Sequence, residues 1–261
     1  MTRAQLILVL GAIALVVILF QLPRSVVENE QLQEVAETEQ HSMEIPQEVE
    51  TQINELRRLL EEEDNIDKKT NFAHSLARRY LDYGAVDSAA SYADKIQGWM
   101  EGPSERAADI YFKAYERSAG PEQAKKYALK AREILQTLLD KDPGNLVVKN
   151  RLAMTLVVSE NPMAGINMLR EILVVDETNR QAILNLGLLA IQSGQFDRAR
   201  ERFENLVSMD SADHEAKLYL AVSLMEINQQ SQARLLLEEI MATQDSIPAI
   251  KMMANDYLNS L

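Results

Sequence analysis

Side chains that commonly perform catalysis are scarce in this sequence. It has 261 residues, no cysteine and only three histidines, His41, His74 and His214. None of these histidines has a second ligand at metal-binding spacing. No phosphate-binding glycine loop, nucleophile elbow or dinucleotide-binding fingerprint is present either. We therefore predict no catalytic residue, no metal site and no cofactor.

One acidic run, Glu61–Asp64, has a composition that could bind Ca²⁺. Calcium-binding loops alternate their oxygen ligands and contain a glycine at the turn. This run has neither feature, so we interpret it as the solvated end of a helix. The whole chain has 27 basic and 40 acidic residues and a net charge of −13. Such a charge opposes binding to a phosphate backbone, so nucleic acid is not an expected partner.

The chain repeats a residue pattern at an interval of 34 residues. The pair Leu186–Gly187 recurs downstream as Leu220–Ala221 and upstream as Leu152–Ala153. Small side chains at these positions allow two helices to approach closely, while the larger Phe203 fills the space beside them. Gly194 lies between the two helices, where a left-handed residue commonly ends a helix. The pattern predicts helix-turn-helix units that stack into a solenoid.

This pattern resembles the tetratricopeptide repeat (TPR). Leu186–Gly187, Ala199 and Phe203 match the repeat, whereas Ile183, Ala190 and Ser211 replace its Trp, Tyr and Pro. An upstream copy keeps the internal spacing with Leu76, Ala77, Tyr80, Gly84, Ala89, Ala93 and Ile96. The resemblance implies an all-α fold, namely a right-handed solenoid of about five TPR-like repeats, and a function in binding other proteins.

Counting by 34 sets the expected boundaries. The copy at 104–145 is longer than one repeat, and we expect both of its helices to be extended, with Ser104 as a cap and a break at Gly120–Pro121. Gly165 occupies a position where alanine is usual, so the copy at 146–179 is recognisable but matches the pattern less well. The predicted repeat domain covers residues 46–261: a helix at 46–64, repeats at about 70–103, 104–145, 146–179, 180–213 and 214–247, and a capping helix at 248–261.

The family resemblance also implies a binding groove. In TPR proteins the concave wall is lined by positions 2, 5, 9 and 12 of each first helix. We expect an exposed apolar groove for a hydrophobic or amphipathic segment of a partner protein, without a carboxylate clamp in the last three repeats. Its predicted protein-binding residues are Asn150, Met154, Val157, Leu184, Leu188, Ile191, Leu218, Val222 and Met225. The alternative is that the capping helix or a second copy of the chain fills this groove.

The first residues have a different composition. Residues 4–22 are uncharged and almost wholly aliphatic, and at about 1.5 Å per residue they match a hydrocarbon core of about 30 Å. A cleaved secretory signal is the alternative, but no small-x-small cleavage site follows Phe20. We predict an uncleaved transmembrane anchor at 1–23 and an acidic spacer at 24–45. Positive charge is nearly balanced across the apolar run, and the acidic spacer favours an extracytoplasmic repeat domain.

These features together predict a bacterial protein of the inner membrane with one transmembrane helix. Its repeat domain would face the periplasm and serve as a scaffold that binds a protein partner or client. The layout resembles accessory subunits of the secretory translocon and repeat-bearing components of cytochrome c assembly. The alternative is a self-associating structural subunit of a membrane complex, in which homo-oligomer contacts replace an external partner.

Overall fold

The computed structural model describes residues 45–261, which form twelve α-helices and no β-strand. The predicted all-α class is confirmed for this range. The helices are α1 Gln47–Glu62, α2 Ile66–Asp82, α3 Val86–Trp99, α4 Glu105–Glu116, α5 Pro121–Lys141, α6 Leu146–Val157, α7 Pro162–Val175, α8 Arg180–Gln192, α9 Phe196–Met209, α10 His214–Glu226, α11 Gln230–Ala242 and α12 Pro248–Ser260.

The helices form five consecutive pairs, from α2 with α3 to α10 with α11, and each pair packs on the next. The first helix of a pair also contacts the first helix of a neighbouring pair, as α2 contacts α4 and α8 contacts α10. At the ends, α1 packs on α2, and α12 packs on α10 and α11. This is the neighbour-only contact pattern of a solenoid, in which each unit buries its apolar face against adjacent units.

The turns between pairs repeat with the same interval as the helices. Asp142, Asp176 and Asp210 each accept a hydrogen bond from a backbone N–H two residues later, over 3.2, 3.2 and 2.8 Å. The next residue in each turn caps the following helix: the side chains of Asn145, Asn179 and Asp213 accept from Val148, Ala182 and Ala216. These caps satisfy backbone donors that have no partner within the helix. Local turn chemistry therefore fixes where α6, α8 and α10 begin.

Two boundaries differ from the expected positions. Helix α2 begins at Ile66, four residues before Thr70, because the side chain of Asn65 accepts a hydrogen bond from Lys68 and caps a longer helix. In the long repeat, the extra residues are in α5, which has 21 residues, whereas α4 has 12. The expectation that both helices of this copy are extended is therefore wrong.

Gly165 is a point of close helix contact. A Cβ atom at this position would collide with the carbonyl oxygen of Ala153 and lie 2.9 Å from a methyl group of Val157. Glycine therefore lets α7 approach α6 more closely than alanine would allow. The departure from alanine at this position therefore has a physical reason, since the local packing requires the absence of a side chain.

The buried apolar side chains form two large clusters and one small one. The first extends from Ile53 to Leu152 and the second from Ile183 to Ala254. Between them lies a cluster of five buried residues, Ala153, Leu169, Ile172, Ala182 and Leu186. The small cluster joins the pairs α6/α7 and α8/α9. The pairs α6/α7 and α8/α9 also contact each other less extensively than any other two neighbouring pairs.

The predicted membrane anchor lies outside the described residues, as do residues 24–44 of the acidic spacer and His41. Among residues 45–261, no helix combines the length and the apolar character needed to cross a bilayer.

Candidate functional site

The nine predicted groove residues are more buried than the sequence suggested. Asn150, Leu184 and Leu218 have only 4, 4 and 1% of their surface exposed. The other six are half-buried: Met154, Val157, Leu188, Ile191, Val222 and Met225. The expectation of an open apolar wall is therefore wrong for the position-5 residues.

Packing between neighbouring first helices explains this burial. Leu184 and Leu218 belong to the second core cluster, and Leu188, Ile191 and Met225 pack against it. Because α8 contacts α10 and α10 contacts α12, position 5 lies in the interface between first helices. The half-buried residues at positions 9 and 12 remain partly accessible. We use the name first-helix surface for the accessible side of α4, α6, α8 and α10, which includes Met154, Leu188 and Val222 at position 9.

The first-helix surface contains a cavity of about 500 Å³ between α4, α6 and α8. Its lining is mixed: Phe112, Leu146 and Val147 are apolar, whereas the remaining residues are mostly charged or carry amides. Val147 has 65% of its surface exposed and lies at the rim. Of the nine predicted groove residues, only Asn150 lines this cavity. A mixed lining suits a segment with both polar and apolar side chains rather than a purely hydrophobic one.

Asp109 organises the charges beside the cavity. Its carboxylate lies 3.0 Å from Nε2 of His74, 2.8 Å from Nζ of Lys113 and 3.0 Å from Nη2 of Arg151. Burial alone would raise the pKa of Asp109. The hydrogen bonds from His74 and Lys113 and the charges of Lys113 and Arg151 outweigh burial and lower this pKa well below its usual range. The network joins α2, α4 and α6 through one ionised carboxylate.

A second ion-pair network lies at the start of α8. Arg180 donates to both carboxylate oxygens of Asp213, over 2.7 and 2.9 Å, and to Glu215 over 2.7 Å. The carboxylate of Asp213 also caps the N-terminus of α10. One carboxylate therefore both caps this helix and binds Arg180 of the preceding helix pair. Bidentate guanidinium–carboxylate contacts have a fixed geometry. This contact sets the spacing of neighbouring first helices at one side of the cavity.

Two buried amides connect α6 and α8. Nδ2 of Asn185 donates to Oδ1 of Asn150 over 2.7 Å, and Gln181 donates to Asn185 over 3.2 Å. Nδ2 of Asn150 is buried and has no hydrogen-bond partner within the described part of the chain. An unpaired buried amide N–H costs about 1–3 kcal/mol. The cavity therefore adjoins an unused hydrogen-bond donor.

The repeat pattern does not predict most of these polar residues as part of the site. Arg151 and Arg180 lie at positions 6 and 1 of their repeats, outside the positions that were read as the wall. Asp109 and Lys113 lie in the irregular copy, for which no register was defined. His74 has no second metal ligand at a suitable spacing in the sequence, but in the fold its Nε2 contacts Asp109. Among residues 45–261, no group of three His, Cys, Asp or Glu side chains is arranged to hold a metal ion.

Comparison with known proteins finds one family match, which covers part of the repeats. Residues 190–255 match the family described as Tetratricopeptide repeat. This range extends from the last residues of α8 into α12. A search of curated proteins finds no match.

Several solved structures share the fold. A TPR protein from Parabacteroides merdae superposes with a TM-score of 0.55 at 15% identity, covering 81% of this chain and 82% of that one. A thermophilic TPR protein of Thermus thermophilus gives 0.54 at 14% identity, covering 73 and 99%. PilW, a widely conserved type IV pilus biogenesis factor, gives 0.52 at 16% identity, covering 73 and 84%. At these identities the likeness establishes a shared fold, so the described helices form a TPR-type solenoid.

Proposed function

We propose that this chain is a membrane-anchored scaffold that binds one segment of a partner protein on its first-helix surface. The observation that carries the proposal is the cavity of about 500 Å³ between α4, α6 and α8. TPR solenoids generally serve as protein-binding scaffolds, and binding sites are usually concave clefts in which polar groups fix the orientation of the ligand. No catalytic activity is proposed.

The charges of the cavity favour an amphipathic segment with few charges of its own. Lys113 and Arg151 form ion pairs with Asp109, and Arg180 forms ion pairs with Asp213 and Glu215. A strongly charged partner would have to break these pairs, which is costly for partly buried groups. A partner amide or hydroxyl can instead bond to the exposed amide of Gln181. Its apolar side chains would cover Val147 and continue along the half-buried groove residues.

The groove residues extend the cavity along the solenoid. Met154, Leu188 and Val222 occupy position 9 of three successive repeats and remain half-buried. In this proposal they give the bound segment a partly apolar floor, and Met154 adapts to irregular shapes. Leu184 and Leu218 support the floor from inside the core. The contact residues are thus a subset of the nine predicted ones, together with the polar lining of the cavity.

The anchor and the spacer determine where the scaffold acts. In the proposal, residues 4–22 span the inner membrane, residues 24–45 form the acidic spacer, and the repeat domain lies outside the cytoplasm as an accessory subunit of a secretion or assembly complex. The uncharged run and the acidic segment that follows it support this arrangement. PilW has a similar fold and is a pilus biogenesis factor, but the likeness concerns the fold alone.

A crosslinking experiment tests the proposal. We expect a photo-crosslinking residue at Val147 or Gln181 of the full-length chain in membranes to capture one partner protein. Leu235 on α11 is the control position, since its 62% exposure matches the 65% of Val147. Adducts that form equally at all three positions would contradict a specific first-helix site. An adduct with the mass of two copies would instead support the self-associating alternative.

A matched pair of variants gives the first prediction. Val147→Asp should reduce partner recovery about tenfold, because a carboxylate would be placed against the apolar side of the bound segment. The fold should persist, since Val147 is exposed in the first turn of α6, where an acidic residue is favourable. Leu235→Asp should leave recovery unchanged. Affinity purification from solubilised membranes, with circular dichroism of each variant, measures both effects. Equal recovery from Val147→Asp and the unmodified chain would contradict the proposed site.

A further inference from the structure

A second cleft lies between α7 and α9 and shares no residue with the first-helix cavity. Its volume is about 450 Å³, and its lining includes Arg170, Arg198 and Arg202 but no acidic residue. We call it the arginine cleft. The chain as a whole has a net charge of −13, so a cleft with three cations and no anion is opposite in sign to the average surface. This local reversal of charge needs an explanation.

The three arginines are not neutralised within the described residues. Arg170 donates only to the amide of Asn167, over 3.2 Å, and Arg198 only to the amide of Gln195, over 2.6 Å. Arg202 has no hydrogen bond or ion pair among residues 45–261. Burial, and then repulsion from Arg170 and Arg198, lowers the pKa of Arg202. Glu201 attracts Arg202 but does not outweigh these effects. Three neighbouring guanidinium groups that make no ion pair within the described residues repel one another, and a bound anion would relieve this repulsion.

A third cleft adjoins the turn between α6 and α7, which consists of residues 158–161. It has a volume of about 360 Å³, and its lining includes two cations, Lys125 and Arg132, one acidic residue, Glu160, and the apolar Val158. Residues 158–161 of the turn line this cleft, whereas Val157, Pro162 and Met163 line the arginine cleft. The two clefts therefore lie on either side of one short turn. Nε of Arg132 is buried without a hydrogen-bond partner in the described part of the chain.

Exposed apolar side chains accompany these cations. Met163 is 50% exposed in the arginine cleft, and Leu129 and Val158 are 45 and 37% exposed in the neighbouring cleft. Free phosphate would satisfy the arginines but leave these side chains in water. A ligand that covers both must carry anionic groups as well as apolar groups.

We propose that the two clefts beside the α6–α7 turn form a second interaction surface, which binds an acidic, amphipathic segment of a partner protein. Guanidinium groups bind carboxylates through paired hydrogen bonds, and the apolar side chains of the segment cover Met163, Val158 and Leu129. The residues that form this surface do not line the cavity of the proposed function. Either site can therefore be correct without the other.

The test uses the full-length protein and a short fluorescent peptide in which leucine alternates with glutamate. Arg170→Glu combined with Arg198→Glu should weaken binding of this peptide at least about tenfold, as measured by fluorescence anisotropy. Both side chains are exposed and bond only to neutral groups, so the fold should be retained. The control is Arg106→Glu combined with Arg234→Glu, which makes the same charge change at exposed arginines outside the clefts. It should change the affinity less than about twofold.

Several results would overturn the proposal. Equal weakening in the two double variants would mean that net charge alone governs binding. Failure of the unmodified protein to bind the peptide, or equal binding of a peptide with glutamine in place of glutamate, would exclude a site for an acidic segment. Displacement of the peptide by an equal concentration of inorganic phosphate would indicate a general anion site. Val147→Asp should leave peptide binding intact, which separates this surface from the first-helix site.

Discussion

Among the single side chains, Asp109 makes the most extensive ionic contacts around the first-helix cavity. It contacts His74 on α2, Lys113 on its own helix and Arg151 on α6. These ionic contacts join helices from three repeats, in addition to the apolar core that the same helices share. Removing its charge leaves Lys113 and Arg151 close together without an anion between them, so the effect should exceed that of losing an ordinary surface ion pair.

Asp109→Asn should lower the free energy of unfolding by about 1–3 kcal/mol at pH 7. The pKa of Asp109 is lower in the folded protein than its unfolded value of about 3.9. The folded state therefore binds fewer protons, and the stabilisation is present above about pH 4 and is lost as the pH falls towards the folded pKa.

Urea unfolding of the full-length chain at pH 7 and near pH 3 measures this linkage. The difference between the unmodified chain and Asp109→Asn should shrink at the lower pH. Glu238→Gln, which removes an exposed carboxylate with no ion pair among residues 45–261, should change the stability by less than about 0.5 kcal/mol. A difference for Asp109→Asn that is constant with pH would contradict the assigned role of its charge.

For single residues, the sequence predicts which side of a helix a side chain occupies, but not which other residues contact it in the fold. The pattern placed Leu184 and Leu218 on the inner side of their helices, but it did not reveal that the next first helix covers them. His74 and Asp109 are 35 residues apart in the sequence, and the contact crosses into a copy with irregular length. Such a contact depends on how two helices are rotated against each other, and a single sequence does not specify that rotation.

The helices themselves are determined by short-range signals that the sequence does contain. Asp142, Asp176 and Asp210 recur at the repeat interval, and each is followed three residues later by the cap of the next helix. This signal could have located the starts of α6, α8 and α10 directly. The length of α5 was harder to predict, since α4 and α5 share one long copy and only the structure shows which helix is extended.

Gly165→Ala should destabilise the chain by about 1–3 kcal/mol, because the added methyl group collides with the backbone of α6. Gly98 in α3 is the matched control, since a Cβ there meets nothing within 4 Å. Gly98→Ala should be neutral or stabilise by up to about 1 kcal/mol through the better helix propensity of alanine. Thermal and urea unfolding followed by circular dichroism compare the two. Similar effects of both substitutions would contradict the close contact at Gly165.

At the scale of the whole molecule, the described residues are a linear stack whose ends are covered by single helices. The repeat interval was sufficient to predict the all-α solenoid and a helix after the last pair. Helix α12 buries Ala254 and packs Met253 and Tyr257 against the second core cluster. The sequence did not show that the core is divided, because each repeat has a similar apolar pattern and the division appears only when buried residues are grouped in space.

Removal of residues 248–261 should destabilise the stack from its C-terminal end. Hydrogen exchange should become faster in α10 and α11, which contact α12, while α2–α5 remain protected because they belong to another cluster. Hydrogen-exchange mass spectrometry of the full-length and shortened chains measures this difference. Met252→Ser, at a position that is 64% exposed in α12, is the control and should behave like the unmodified chain. Uniform loss of protection in all pairs would show that the stack unfolds as one unit.

The small cluster between the two large ones has a mechanical consequence. Bending of a solenoid concentrates where neighbouring pairs contact each other least, and here that is the joint between the pairs α6/α7 and α8/α9. The first-helix cavity includes residues of α6 and α8, and the arginine cleft lies between α7 and α9. A change in the angle between these two helix pairs alters the widths of both the first-helix cavity and the arginine cleft. If a partner bound at one surface favours a particular angle, it changes the affinity of the other surface for its own partner. By linkage, the second partner then changes the affinity for the first by the same factor.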